Sequence, residues 1–431
     1  KLADAIGNAF AALEDARRVV VCRDIRQSSN EIADAVCAGL QAAGCDVLDI
    51  GVGGTEHVYF AVPHLQADGG IMVTASHNPA DYNGMKLVRA ESVPISGDSG
   101  LDEIGVRAAS GRRTQGEREG TRSNVDVSEA YISHLLGYVA DAALKPLKIV
   151  VNAGNGGAGL VIDQLEAHLP FEFIKVHHEP DGSFPNGVPN PLLTENRQPT
   201  IDAIAASSAD FGVAWDGDFD RCFFFDHEGG FIEGYYIVGL LAQYFLERAT
   251  QPGEKIIHDP RLTWNTREIV EQLGGVPVVS KTGHAFIKER MRKENALYGG
   301  EMSAHHYFRE FAYCDSGMIP WLLVAALVST TGTTLHSQVT ARQARYPASG
   351  EINRRIGDPA AVLAGIEKHF SASAVHVDHI DGLSMEFADW RFNLRSSNTE
   401  PLVRLNVESR GDEALMQAQT KQLLALLDTT A

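Results

Sequence analysis

The stretch Gly69–Lys86, GGIMVTASHNPADYNGMK, is an apolar run that stops at a serine. Gly69 to Thr74 reads as a buried strand, and Pro79, Asn83 and Gly84 behind it read as turn punctuation. Ser76 is therefore expected at a strand's end. There its hydroxyl could be a nucleophile, a phosphate carrier, a helix cap or only a turn residue. For an isolated Ser-His pair, the turn and cap uses are the ordinary ones.

Working outward, Leu2, Ile6, Phe10 and Leu13 share one helical face, and Arg18–Cys22 (RVVVC) reads as a buried parallel strand. A helix over 31–43, a strand over 46–50 and the strand before Ser76 complete the alternation of a doubly wound α/β domain over 1–125. It closes with the polar tract SGRRTQGEREGTRSN (110–124). A second cycle, 126–229, has expected strands at 147–151, 173–176 and 211–215 and a helix at 159–167. A third, 230–344, has strands at 255–258 and 276–279, a helix from about residue 266, and the loop YGGEMSAHHYF. In 345–431 the pattern changes to alternating, hairpin-like strands followed by a helix, so this part is expected to be α+β. The expected fold class is α/β: three doubly wound α/β domains and a smaller C-terminal α+β domain around a central cleft.

At 431 residues and 44% hydrophobic composition, the chain is long enough for roughly three or four cores. The net charge of −19 argues against nucleic acid or an anionic membrane as partner, and an anionic substrate would need a locally basic pocket. Cys22, Cys37, Cys45, Cys222 and Cys314 form no C-x-x-C pair, as expected of reduced core thiols in a cytoplasmic protein. The longest apolar stretch, 318–328, contains Pro320 and is too short to span a bilayer.

The strongest local signal is DGDFDR, with Asp216, Asp218 and Asp220. In an extended segment residues two apart share a face, so the three carboxylates would converge at high cost unless a cation neutralises them. Hard oxygen ligands point to magnesium or calcium. A calcium hand would need glycine at its sixth position and glutamate at its twelfth; Arg221 and His227 stand there. A magnesium site with room for phosphate oxygens remains, with Arg221 as a phosphate partner. Gly154, Gly156 and Gly159 spell G-x-G-x-x-G with Glu179 downstream, which makes an NAD-dependent oxidoreductase the rival reading. The following PDGSFPNGVPNP is proline-rich loop rather than the next helix and strand of a nucleotide unit. In RSSNTEP, hydroxyls, backbone donors and Arg395 suit a phosphate. In GEMSAHH, Glu301, Ser303 and His305 could read sugar hydroxyls; His305 with His306 lacks the partner spacing of a metal site.

TASHNP, DGDFDR, GEMSAHH and RSSNTEP, in this order and one per expected domain, together resemble the α-D-phosphohexomutase superfamily, in its bacterial phosphomannomutase/phosphoglucomutase branch. The resemblance implies that Ser76 is carried as a phosphoserine and that its phosphate with Asp216, Asp218 and Asp220 binds Mg2+. It implies that His77, Asn78, Lys86 and Arg221 border the phosphoserine, with Lys86 as a proton-transfer group. Glu301, Ser303 and His305 would contact the sugar, and His284 would be a further substrate contact. Arg395, Ser397, Asn398 and Thr399 would hold the non-reacting phosphate. The implied reaction is reversible exchange of hexose 1-phosphate and 6-phosphate through a bisphosphate, with glucose 1,6-bisphosphate as activator, in a hinged cytoplasmic monomer. Both mannose and glucose phosphates are expected as substrates. Two departures stand out. The sequence opens at Lys1 inside a helical pattern, without the family's first strand and its Tyr-Asp-Ile-Arg-Gly-like segment. Arg261 stands where the bacterial branch is expected to have lysine, and it is assigned to phosphate contact. A non-catalytic phosphosugar-binding protein would not need Ser76 and all three aspartates.

Overall fold

The computed structural model of the chain describes residues 1–396 and 402–429, in two compact units: Lys1–Phe231 with Ser303–Leu335, and Ile232–Met302 with His336–Ala431. In the first unit, strands Gly69–Val73, Arg18–Arg23, Asp46–Val52 and Arg122–Asn124 lie side by side and parallel. Val19, Val21, Ile71 and Val73 are fully buried against Phe10, Val36 and Leu40 from the helices Leu2–Leu13 and Ser29–Ala42. The sheet is mixed rather than wholly parallel, because Met85–Arg89 returns antiparallel to Gly69–Val73. The intervening residues 74–84 are too few for a crossover helix, so the chain can only double back and carry Lys86 to Ser76's end of the sheet.

A second sheet repeats this plan. Lys148–Asn152 pairs parallel with Glu172–Val176 and Phe211–Trp215, and Cys222–Asp226 then returns antiparallel. Asp216–Arg221 is the connection between those last two strands. The apolar run near residue 320 is the helix Met318–Thr331; Trp321 within it is fully buried, edge-on to Phe171 and Phe173. No single helix among the described residues is long and apolar enough to cross a membrane.

In the second unit, Lys255–His258 pairs parallel with Val276–Val279 and with Tyr298–Gly300. Its C-terminal part is α+β, as expected from the alternation: an antiparallel sheet in the order Ile352–Arg355, Leu402–Ser409, Trp390–Ser396, Leu383–Glu386, His376–Asp378. The helices Pro359–Phe370 and Glu413–Thr429 accompany it, and Trp390 stacks on Phe387 with ring centroids 4.1 Å apart.

One buried carboxylate joins three segments of the first unit. Glu56, in the helix Thr55–His64, is fully buried and accepts hydrogen bonds from the Gly317 N–H (2.6 Å), the Met318 N–H (3.2 Å), the Ser316 hydroxyl (3.0 Å) and the Tyr131 hydroxyl. It thereby satisfies orphan amides at the start of Met318–Thr331. Burial pushes its pKa up from 4.5 to about 8, against the pull of those four donors. A carboxyl raised on folding binds its proton more tightly in the native state, so its contribution is complete below pH 4.5 and is lost as pH rises through about 8. Wild type should therefore lose up to about 4 kcal/mol relative to Glu56→Gln across that range. Urea unfolding of both proteins at a series of pH values measures this. A pH-independent difference would show that the donors keep Glu56 charged throughout.

Candidate active site

The first unit brings together most of the residues singled out in its sequence. Ser76 follows the strand Gly69–Val73 and has a left-handed backbone, φ 49°, unusual for a residue other than glycine. Its N–H donates to Thr74 Oγ1 at 2.9 Å. Its hydroxyl donates to Asp216 Oδ2 at 2.9 Å and lies 3.0 Å from His77 Nδ1. Asn78 is exposed, and its carbonyl is held by Arg26.

The three aspartates converge, but not as alternate residues of an extended segment. Asp216–Arg221 is a tight turn in which Phe219 has φ 43° and its N–H bonds back to the Asp216 carbonyl. One oxygen from each carboxylate lies within 4.8 Å of the other two, and all three residues are buried. Gly217 makes the approach to the serine loop possible, since a Cβ there would fall 2.5 Å from the Ser76 carbonyl oxygen.

Two cations offset the charge. Lys86 Nζ donates to Asp218 Oδ2 (2.8 Å), Asp220 Oδ2 (2.5 Å) and Thr55 Oγ1 (3.2 Å). Arg221 Nε donates to Asp216 Oδ2 at 2.8 Å, and its Nη2 reaches His77 Nδ1. Burial opposes ionisation of Asp218, but the Lys86 charge and hydrogen bonds from Lys86 and Thr55 outweigh it and hold this carboxyl below the usual range. Burial and then the Asp218 charge push Asp220 up to about 7. For Lys86, burial works against the ammonium, and the charges of Asp218 and Asp220 overcome it and hold the pKa above the ordinary value.

The donor set suits a hard divalent cation. Asp218 Oδ1 and Asp220 Oδ1 are buried and accept no hydrogen bond from the described residues, as oxygens turned toward an ion would. His305 is also here: the Ala304 carbonyl accepts from the Cys222 N–H, and His305 Nδ1 lies 2.8 Å from Asp315 Oδ2 and 4.0 Å from Asp220 Oδ1. The carboxylate partner that the local sequence around His305 did not offer is thus supplied by Asp315, ten residues on. Ser303 precedes it, half-buried.

The second unit places the remaining residues. Arg261 forks onto Asp259, with Nη2 to Oδ2 at 2.8 Å and Nε to Oδ1 at 3.1 Å. Glu301 is buried, accepts the Gly283 N–H at 2.9 Å, and lies 3.9 Å from Arg261 Nη2. His284 opens the helix His284–Glu294. Arg395 lies opposite Arg404 across paired strands, and Glu351 stands between them and Arg261, at 3.5 Å from Arg395, 3.1 Å from Arg404 and 3.5 Å from Arg261. Burial resists ionisation of Glu351, but the three guanidiniums outweigh it and hold the carboxyl below its ordinary value. Ser397, Asn398 and Thr399 lie outside the described residues.

The G-x-G-x-x-G stretch is packed against protein. A Cβ on Gly154 would fall 2.3 Å from Pro189, and one on Gly159 2.3 Å from the His178 carbonyl oxygen, so these glycines admit neighbouring chain rather than a pyrophosphate. Sequence reading missed Arg26, whose signal was an Asp-Ile-Arg directly after a strand. Its buried guanidinium donates to the carbonyls of Ser76, Asn78, Pro79 and Tyr82 at 2.6–3.0 Å.

Comparison with known proteins supplies the wider context. The phosphoglucomutase/phosphomannomutase family models match in series: alpha/beta/alpha domain I at residues 1–112, domain II at 129–230, domain III at 233–346 and the C-terminal domain at 351–425. The chain is 60% identical over 431 residues to a phosphomannomutase of Salmonella montevideo, covering 98% of this chain and 94% of that protein. It is 59% identical over 426 residues to a protein of Xanthomonas campestris pv. campestris (strain B100) named for phosphohexose mutases, covering 99% and 95%. Among solved structures, a phosphoglucomutase/phosphomannomutase family protein from Burkholderia thailandensis superposes with a TM-score of 0.87 at 32% identity, covering 99% of this chain and 93% of that one.

The grip of Arg26 leads to a direct test. Arg26→Lys keeps the charge but cannot reach four carbonyls, so the loop 76–83 should open locally while the fold persists. Loss of about 2 kcal/mol of local stability should speed amide hydrogen exchange there by about 30-fold. Unchanged exchange in that loop would mean that the Ser76 conformation is held by other contacts.

Proposed function

The chain belongs to the phosphoglucomutase/phosphomannomutase family, a family of mutases within the isomerases, and from that premise we propose that it interconverts hexose 1-phosphate and hexose 6-phosphate through a phosphorylated Ser76. The observation that carries the proposal is the Ser76 hydroxyl 2.9 Å from Asp216, beside buried carboxylate oxygens that accept no hydrogen bond. A serine that carries phosphate needs no acyl-transfer triad. The setting favours phosphoryl transfer, in which positioning and charge stabilisation do most of the work.

In the first half-reaction a free sugar hydroxyl attacks the Ser76 phosphate; the new P–O bond forms as the bond to Ser76 Oγ breaks, giving hexose 1,6-bisphosphate. In the second, Ser76 Oγ attacks the other phosphate and the isomeric monophosphate leaves. Lys86, held as an ammonium by Asp218 and Asp220, gives a proton to Ser76 Oγ in the first half-reaction while the attacking sugar hydroxyl's proton passes to an oxygen of the transferred phosphoryl group; in the second, Lys86 recovers the Ser76 proton and the leaving sugar oxygen takes one back from the phosphoryl group. Arg221 and His77 flank the phosphate position. Asp216, Asp218 and Asp220, with an oxygen of the Ser76 phosphate, would hold Mg2+, which when bound would neutralise charge on the transferring phosphoryl oxygens.

In the second unit, Arg261 and Arg395 are assigned to phosphate, Glu301 to the sugar and His284 to a further substrate contact; Ser303 and His305 of the first unit are assigned to the sugar. Ser397, Asn398 and Thr399 join Arg395 in this assignment. Glucose 1,6-bisphosphate would restore a dephosphorylated enzyme. Recognition through the 3- and 4-hydroxyls leaves C2 unread, so mannose and glucose phosphates should both react; the names of the relatives support the mannose substrate.

Intact-mass analysis before and after incubation with glucose 1,6-bisphosphate and magnesium tests the reading. One added phosphate is expected on wild type and none on Ser76→Ala, with mutase activity reduced by at least about 1,000-fold in the variant. A wild-type protein that never accepts phosphate would overturn the mechanism. A mannose-to-glucose ratio of kcat/KM above about 1,000 would overturn the proposal that C2 goes unread.

A further inference from the structure

His305 is given a fixed surrounding by chain elements that do no chemistry themselves. The strands His306–Phe308 and Cys314–Asp315 pair antiparallel, Tyr307 opposite Asp315 and Phe308 opposite Cys314, and this hairpin returns Asp315 to the side of His305. The Ser316 N–H donates to the His306 carbonyl at 3.0 Å, and the Cys222 N–H donates to the Ala304 carbonyl at 3.2 Å. The residues after Asp315 are anchored in turn, because the Ser316 hydroxyl and the amides of Gly317 and Met318 all donate to buried Glu56. Asp315 itself is fully buried. Its carboxylate therefore approaches His305 from an immobile base.

The 2.8 Å contact between His305 Nδ1 and Asp315 Oδ2 sets the chemistry of the ring. A carboxylate oxygen accepts, so Nδ1 carries the proton and the neutral imidazole keeps its lone pair on Nε2. We infer that Asp315 is a positioning residue: it locks His305 in the Nδ1–H tautomer and turns Nε2 into a fixed acceptor for a substrate hydroxyl. The inference rests on the reading of His305 as substrate-facing. An acceptor of fixed direction orients a sugar hydroxyl, and an imidazole free to exchange tautomers would offer a donor as readily. Asp220, His305 and Asp315 also lie close enough to hold a cation. Such a cation would take the lone pair of Nδ1, which the proton on that nitrogen forbids, so the two arrangements exclude each other.

Nitrogen-15 NMR of the full chain labelled at histidine, at a pH where the imidazole is neutral, reads the tautomer directly; His305→Gln assigns the signals. Wild type should show His305 with its proton on Nδ1, and Asp315→Asn should shift it to a mixture or to Nε2–H. The mutase kcat, measured with glucose 1-phosphate, magnesium and glucose 1,6-bisphosphate, should fall 10- to 100-fold in Asp315→Asn at an unchanged melting temperature. Asp315→Glu serves as a second variant should the asparagine protein fold poorly, and it should keep the Nδ1–H signal. An unchanged tautomer in Asp315→Asn overturns the inference whatever the activity does. So does a wild-type Nδ1 without a proton whose signal moves on adding magnesium or zinc ion alone, since that assigns the three residues to a cation. A lost tautomer with kcat unchanged supports the positioning role of Asp315 and overturns instead the reading of His305 as substrate-facing.

Discussion

Three carboxylates buried in one tight turn repel one another, and much of the first unit can be understood as the arrangement that keeps them there. At the spacing of Asp216, Asp218 and Asp220, each ionised pair costs roughly 3–4 kcal/mol at an effective dielectric constant of 20. No single neighbouring residue offsets that. Arg221 comes from the turn itself, Lys86 from an antiparallel strand of the other sheet, and the Thr55 hydroxyl from the start of a helix. Two cations against three carboxylates leave a surplus negative charge, consistent with the raised Asp220 and with the unpartnered oxygens on Asp218 and Asp220. The same surplus that makes the turn unfavourable as protein alone makes it a ready ligand for a divalent cation.

Because the cations arrive from separate segments, the loop that carries Ser76 must be placed as accurately as the carboxylates. Arg26 does this by binding carbonyls rather than a charge of opposite sign on the loop, so its four bonds from Nη1 and Nη2 fix the backbone path from Ser76 to Tyr82. The left-handed backbone of Ser76 costs free energy that this grip offsets, and it turns the hydroxyl toward Asp216. Glu56 does comparable work one residue beyond Thr55, fixing the start of Met318–Thr331 and with it the position of Asp315. The helix opening at Thr55 and Glu56 therefore serves the acidic turn through one side chain and the His305 loop through the next.

Strand and helix periodicity made the architecture readable, down to strands such as Phe211–Trp215 and Lys255–His258, because those segments are buried on both faces and their apolar runs are continuous. The mixed direction of the sheets was less accessible: whether a strand returns antiparallel depends on the length of its connection, which composition does not mark. The carboxylates of DGDFDR were visible by residue type, yet the expectation that alternation brings them together was mistaken; a turn with Phe219 at positive φ does so. Arg26 had only a short Asp-Ile-Arg after a strand as its signal, and Thr55, Asp315 and Glu351 carry no local signature. Each matters through a partner distant along the chain, and a contact of that kind exists only once the fold has formed.

Glu351 shows why such residues are hard to anticipate and what they do. A chain of net charge −19 must concentrate positive charge locally to bind a phosphorylated sugar, and Arg395 and Arg404 sit opposite one another on paired strands where like charges destabilise. Glu351 between them removes that repulsion in the protein by itself. Its contacts with Arg395 and Arg404, 3.5 and 3.1 Å, are longer than the 2.7–2.9 Å of a strong charge-assisted hydrogen bond, so Glu351 holds these two guanidiniums near one another only loosely. An arginine cluster kept together by a loosely bound carboxylate can turn toward a phosphate at small cost, whereas one bound tightly would have to break its own ion pairs first. On the proposed assignment of Arg395 to phosphate, this loose geometry would let the cluster both grip and release the anion.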